Sequence, residues 1–333
     1  MRALIKINLK EIKNNYLEIK NKTNKNIIAV LKDNAYGHDL IHVAKSLSLL
    51  NVNMIALATF EEAISLRKNL IFTPILLFER CSYFRILSTY KITIAIQSLN
   101  HLKEVISSQY PLTIHLEIET GFNRLGIQVN EIEEALKLIS NSKLKLTGIY
   151  THIASEFTKK EQIKIFKSAL EKIPFYNKLF IHIRSSSYIN EDIDFENTIR
   201  MGLALYTLNN NQIMSIYAPV LRCKEVHVGE LISYNNEVVK EDGYILTIGI
   251  GYGDGWKKDY QTLAYYKGNY LHQIGVTNMD ALMLFSKQKI EENQYVELLG
   301  EHIKLNDILS IYNVSSYEFF SLLSNRIKRE FNT

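Results

Sequence analysis

From Asn26 onward, short apolar runs alternate with segments whose apolar residues recur at helical spacing. The runs are Asn26–Leu31, Met54–Thr59, Pro74–Phe78, Ile92–Gln97, Leu112–Ile118, Leu146–Ile153, Lys178–Ile183 and Thr198–Tyr206. Between them lie helix-period segments such as Glu61–Lys68, Leu102–Ser107, Glu131–Ile139 and Glu161–Lys172. Strand and helix alternating at this spacing predict a parallel sheet. Eight repeats within about 200 residues, each run apolar enough to be covered on both faces, favour a closed (β/α)8 TIM-type barrel over an open doubly wound sheet. The opening Met-Arg-Ala-Leu-Ile-Lys-Ile-Asn alternates as a strand does, and Leu9–Lys20 reads as a helix.

The rhythm changes beyond Tyr217. Short alternating segments separated by Gly, Asn or Asp follow: Val220–Val228, Glu237–Val239, Tyr244–Ile248, Ala264–Tyr266 and Val296–Leu299, with a helical segment over Tyr317–Arg329. The division predicted is a barrel over 1–216 and a mostly β domain over 217–333, with the first strand available to pair with that second domain.

Composition narrows the classes of function. Across 333 residues, 39 Lys and Arg against 35 Asp and Glu leave a formal charge of +4, too slight to indicate a nucleic-acid or anionic-membrane partner. Two cysteines, Cys81 and Cys223, stand far apart, which excludes a cysteine metal site and argues against a disulfide framework. No metal site is expected. No run reaches membrane-spanning length and the N-terminus lacks the long apolar stretch of a signal peptide, so a reducing cytoplasm is the expected location.

Active sites of such barrels gather at the C-terminal ends of the strands, so residues just after each apolar run are the candidates. The first run delivers Lys32 to a crowded place, where desolvation disfavours the ammonium form and favours a nucleophilic amine. Tyr36 and Gly37 follow at an expected strand-to-helix turn, with His38 opening a helical pattern. The fifth run ends in Glu117 and leads to Arg124, the sixth ends in His152, the seventh in Ser185 and Ser186, and the eighth contains Arg200, Gly202 and Leu203. A lysine free to condense with an aldehyde, beside tyrosine, serine and glycine-flanked amides that suit a phosphate, is the combination pyridoxal 5'-phosphate needs.

These residues carry a resemblance to the alanine racemase family that runs from Lys32 to Tyr317. Ala29-Val-Leu-Lys-Asp-Asn-Ala-Tyr-Gly-His38 is similar to its cofactor-lysine motif, Glu119-Thr-Gly-Phe-Asn-Arg-Leu-Gly126 to its arginine motif, and Thr151-His152 to its histidine. Arg200-Met-Gly-Leu-Ala-Leu-Tyr206 resembles its eighth-strand motif, Gly249-Ile-Gly-Tyr-Gly-Asp-Gly-Trp256 its second-base motif and Asn278-Met-Asp280 its substrate-contact motif. The resemblance implies that Lys32 holds the cofactor and acts as base on one face of an amino acid, with Tyr252 acting on the other. It implies that Tyr36, Ser186, the backbone at Gly202 and Leu203, and Tyr317 hold the phosphate, that His152 packs on the ring, and that Arg200 faces the pyridine nitrogen. Arg124, Met279 and Asp280 are implied at the substrate, and a head-to-tail homodimer is implied because the family takes its tyrosine from the partner subunit.

At Glu117 many relatives carry a lysine that becomes carbamylated; here the carboxylate is supplied directly, and Glu117 is expected to position Arg124. Ser185, Asp33 and Asn278 also depart from the family pattern. The expected activity is interconversion of L-alanine and D-alanine, supplying D-alanine for peptidoglycan. Serine or a broader amino-acid substrate, and a non-catalytic pyridoxal phosphate carrier, are the alternatives; a lyase or decarboxylase on this fold uses an acidic residue where Arg200 stands.

Overall fold

The computed structural model describes residues 2–189, 191–208 and 212–332. By internal contacts it divides into two compact units. The first comprises Lys13–Ala35 and Leu40–Leu208; the second comprises Met1–Ile12, Tyr36–Asp39 and Asn209–Thr333.

The second unit contributes β1 (Leu4–Asn8), and α1 (Leu9–Thr23) follows it. The first unit then lays down eight parallel strands: β2 (Asn26–Val30), β3 (Met54–Leu57), β4 (Ile75–Leu77), β5 (Ile92–Ile96), β6 (Thr113–Glu117), β7 (Lys145–Tyr150), β8 (Phe180–His182) and β9 (Thr198–Met201). Each falls within or against one of the eight apolar runs. The spatial order β8-β7-β6-β5-β4-β3-β2-β9 follows the chain around, with β9 beside β2, as a TIM-type barrel requires. Amphipathic helices cover it, among them α2 (Leu40–Ser48), α3 (Phe60–Lys68), α4 (Phe84–Thr89), α5 (Leu99–Ser107), α6 (Ile132–Ser140) and α7 (Glu156–Glu171). Thr59 caps α3 in a reciprocal box with Glu62, and Ser98 and Ser155 cap α5 and α7.

Between β8 and β9 side chains replace most of the ladder. Arg200 N donates to Arg184 O at 3.2 Å, while buried Glu196 accepts from the amides of Ile183 and Arg184, both at 2.7 Å, and from Arg184 Nε. A carboxylate so placed satisfies strand donors that have no neighbouring strand carbonyl.

The second unit is an eight-stranded, mostly antiparallel sheet. It is built from β1 with β10 (Met214–Val226), β13 (Gly243–Ile248), β14 (Leu263–Tyr266), β15 (Asn269–Gln273), β16 (Leu282–Ser286), β17 (Tyr295–Leu299) and β18 (Lys328–Asn332); the hairpin β11 (Leu231–Ile232) and β12 (Glu237–Val238) stands apart. β1 pairs antiparallel with β10 and parallel with β18. The compact units therefore part at 208/209 rather than at 216/217, because Met214 to Ile216 already pair with β1.

Two other local expectations are corrected. After α8 (Leu305–Tyr312), the expected helix Tyr317–Arg329 is a short α9 (Ser316–Leu322) followed by β18, since the last residues complete a sheet edge against β1. The helix expected to open at His38 begins at Leu40. Before it Asp33, Asn34, Ala35 and Tyr36 all lie at φ of 52° to 57°, a left-handed turn of four non-glycine residues. Such a turn costs about 1–2 kcal/mol per residue and is offset locally: Ala35 N donates to Leu31 O at 2.9 Å, Asn34 N to Glu62 Oε1 at 3.1 Å, and Leu40 N to Asn34 Oδ1 at 2.8 Å. No helix among the described residues is long and apolar enough to cross a membrane.

Gly148 in β7 makes room inside the barrel: a Cβ there would lie 2.5 Å from ring atoms of buried His115. Gly148→Ala should therefore lower stability by about 1–3 kcal/mol through overpacking, read as a fall in the denaturant midpoint with unchanged slope. A midpoint equal to wild type would refute this account.

Candidate active site

In the first unit the strand ends converge as the barrel predicts. Lys32 follows β2 after Leu31 and is exposed; desolvation nonetheless lowers its pKa and the positive charge of Arg124 adds to the effect, against Asp33 and Glu62. Among the described residues its ammonium takes part in no hydrogen bond or ion pair.

Arg200 on β9 is buried. Its Nη1 donates to His182 O at 2.6 Å and to His182 Nδ1 at 2.8 Å, and its Nη2 donates to Thr151 O at 2.8 Å and Ile183 O at 2.9 Å. Guanidinium carries five N–H donors and accepts nothing, so His182 Nδ1 must be the acceptor. A neutral His182 then carries its proton on Nε2 and donates to His115 Nδ1, 3.0 Å away. His115 in turn carries its proton on Nε2, which has no partner among the described residues. Burial supports both neutral rings, pushing His115 down to about 3 and His182 well below the ordinary range, with Arg200 lowering His182 further. The Nε–H of Arg200 is the guanidinium donor left without a protein acceptor among the described residues.

His152, after β7, lies with Nδ1 at 3.4 Å from Arg200 Nη2 and its ring centroid 5.5 Å from that of Phe122. Burial and the charges of Arg200, Arg124 and Lys32 push its pKa down to about 3. Arg124 is exposed and lays its guanidinium 4.3 Å above the Phe122 ring. Ser186 Oγ accepts the amides of Gly202 at 3.1 Å and Ala204 at 3.0 Å, so two backbone donors around Leu203 turn toward one point.

Glu117, buried at the end of β6, accepts from Tyr150 OH at 2.9 Å and from Gln97. Burial raises its pKa, while Tyr150, Arg124, Arg200 and Gln97 all act to lower it. The expected contact with Arg124 is thus electrostatic across space rather than a hydrogen bond, because the carboxylate is taken by Tyr150 and the guanidinium by Phe122.

The second unit gathers the remaining candidates. Tyr252 is exposed on a tight turn, Tyr252–Asp254, that is fastened to the Asn278–Asp280 segment: Tyr252 N donates to Asn278 O at 3.0 Å and Gly253 N to Met279 O at 2.9 Å. Gly251 is required there, since a Cβ would fall 2.4 Å from Asn278 O. Buried Asp254 accepts from Gly251 N at 3.0 Å and pairs with Arg326 Nε at 3.4 Å, and Arg326 also holds Asp280 at 2.5 Å. Tyr252, Met279 and Asp280 are therefore one cluster. Tyr36 and Tyr317 form another, with ring centroids 6.0 Å apart.

Comparison with known proteins agrees with this geometry. Residues 7–210 match the alanine racemase N-terminal domain and residues 213–331 the alanine racemase C-terminal domain. The chain belongs to the alanine racemase family. It is 30% identical to an alanine racemase of Fusobacterium nucleatum, over 99% of this chain and 99% of that one. It is similar to the crystal structure of alanine racemase from Bacillus anthracis with bound L-Ala-P, with a TM-score of 0.92 and 25% identity over 100% of this chain and 96% of that one. The fold alone is shared with a histidine racemase from Leuconostoc mesenteroides, at 23% identity, a TM-score of 0.91, and coverage of 100% of this chain and 98% of that one.

Several members of the site escaped the sequence. His115, Tyr150 and His182 sit within apolar strands, where a lone polar residue gives no sign of its partner. Their one signal is the alternation that puts His115 and Glu117 on the same face of β6. Arg2, Asp254 and Arg326, which brace the tyrosine turn, lie far apart in sequence.

The desolvation of Lys32 predicts that its neutral amine appears at lower pH than that of surface lysines. Trace labelling with an amine-reactive reagent should give Lys32 a midpoint below the ordinary lysine value. A midpoint matching the exposed lysines would contradict it.

Proposed function

We propose that this protein interconverts L-alanine and D-alanine by a two-base reaction, with Lys32 and Tyr252 as the bases and pyridoxal 5'-phosphate as cofactor. The observation that carries the reading is that one chain of this family holds both a depressed-pKa lysine at a barrel strand end and an exposed tyrosine on a braced turn of the second unit. A racemase needs both, because the α-proton must leave from one face and return from the other whichever enantiomer binds. A carrier needs only the first.

The donor set fits the cofactor. Ser186 and the amides around Gly202 and Leu203 would hold a phosphate; Arg200 would present its spare Nε–H to the pyridine nitrogen; His152 would pack against the ring. Bound through its aldehyde, pyridoxal phosphate supplies an electron sink that makes the α-proton of an amino acid removable. Lys32, neutral at lower pH than an ordinary lysine, takes or returns that proton at Nζ on one face. Tyr252 does so at Oη on the other. Arg200, donor-only and permanently charged, would leave a pyridine nitrogen facing it unprotonated, which would moderate electron withdrawal and disfavour side reactions. Arg124 offers a planar pair of donors to the substrate carboxylate.

A head-to-tail homodimer, in which each barrel receives Tyr252 from its partner, completes the proposal, as do a cytoplasmic location and provision of D-alanine for peptidoglycan. The fold hosts more than one amino acid, so substrate breadth is decided by the pocket rather than by the architecture.

Incubating the purified protein with L-alanine in deuterated water tests the reading. Deuterated D-alanine should form, and Lys32→Ala and Tyr252→Phe should each lower turnover by a factor on the order of a hundred or more. Exchange without D-alanine, or exchange confined to another amino acid, would overturn the two-base or the alanine assignment respectively. Glu117→Gln should raise KM or lower kcat, by roughly tenfold, because a neutral amide cannot supply charge toward Arg124; unchanged kinetics would sink that role.

A further inference from the structure

Gln162, on α7, is a polar side chain that the site as described so far does not use, and it is almost completely buried, at 1% exposure. Its Oε1 accepts from Ala154 N at 2.8 Å and Thr158 Oγ1 at 2.9 Å. Its Nε2 donates to His152 O at 2.9 Å and Thr120 Oγ1 at 3.1 Å. An amide has two donors and two acceptor positions, so every capacity is filled and the orientation of the group is fixed. Thr120 Oγ1 also lies 2.7 Å from Thr151 Oγ1.

The four bonds tie the loop after β6 and the segment after β7 to α7. Thr120 begins the loop that carries Phe122 and Arg124. Thr151 and His152 directly follow β7, and the Thr151 carbonyl is one of the acceptors that hold Arg200. We propose that Gln162 is a positioning residue for the racemase reaction: it pegs the strand ends that set His152 and Arg200 against the cofactor ring. This rests on the two-base reading above.

His152 reports on the peg directly, since its ring is kept neutral by burial and by facing Arg200, Arg124 and Lys32. Two uncharged variants test it. Gln162→Met keeps the shape and removes all four bonds; Thr120→Val removes one arm and decides alone should Gln162→Met not fold. In the holoenzyme, NMR titration of the His152 ring, assigned through a His152→Asn variant, should show its pKa rising toward the ordinary value of about 6.5. For L-alanine, kcat should fall roughly tenfold or more in Gln162→Met and about threefold in Thr120→Val, with KM changed less. A kcat loss with an unmoved His152 titration would assign Gln162 to general stability and overturn the proposal, as would unchanged kcat in a folded variant. Should the wild type lack racemase activity, the two-base reading fails, while the His152 titration still decides whether Gln162 sets that ring.

Discussion

The site is organised around a buried cation that no carboxylate of the described residues contacts. Arg200 is surrounded by the carbonyls of Thr151, His182 and Ile183 and by one imidazole nitrogen. Removing a guanidinium from water costs several kcal/mol unless its donors are met, so the ends of β7, β8 and β9 must hold their carbonyls where the fork can reach them. Glu117 and Glu196 supply negative charge from a distance. Because the fork only donates, it also fixes the tautomers of His182 and His115, and the need for space around His115 fixes a glycine at 148. One donor-only group thus constrains several strands of the barrel.

That constraint bears on chemistry as much as on packing. A cation already satisfied by the protein leaves a single N–H to offer, and it offers a donor where an acidic residue would offer a proton acceptor. The neighbouring histidine is kept uncharged by the same field that keeps Lys32 inclined toward its neutral form. The barrel mouth is therefore an electropositive place in which imidazoles are neutral, the Lys32 amine is shifted toward its neutral form, and anions, whether phosphate or carboxylate, are welcome.

The second unit solves a different problem, that of presenting an exposed phenol on a stiff support. Three glycines allow the Tyr252 turn to press against the Asn278–Asp280 backbone and, at Gly255, to take a φ of 91° with Leu322 O only 1.9 Å from where a Cβ would stand. Buried Asp254 and the arginines beside it lock the turn from behind. For the proposed two-base reaction such rigidity matters, because proton transfer tolerates little misplacement.

The chain on its own determined the eight strands of the barrel, since each falls on a short apolar run and such runs, alternating with amphipathic helices, form a parallel sheet covered on both faces. It also determined the lysine, the tyrosine turn and the arginines, whose residue types and order carry the family's pattern. The left-handed turn at Asp33–Tyr36 lay beyond it, because its stability comes from Glu62 and Asn34 reaching groups that are not adjacent in sequence. So did the pairing of β18 with β1, two strands more than 300 residues apart. The partners of Glu117 and Arg200 were decided only by folding: hydrogen bonds to Tyr150 and His182 depend on which strand neighbours which, and Gln162 becomes a fixed peg only when α7 docks beside the strand ends it ties.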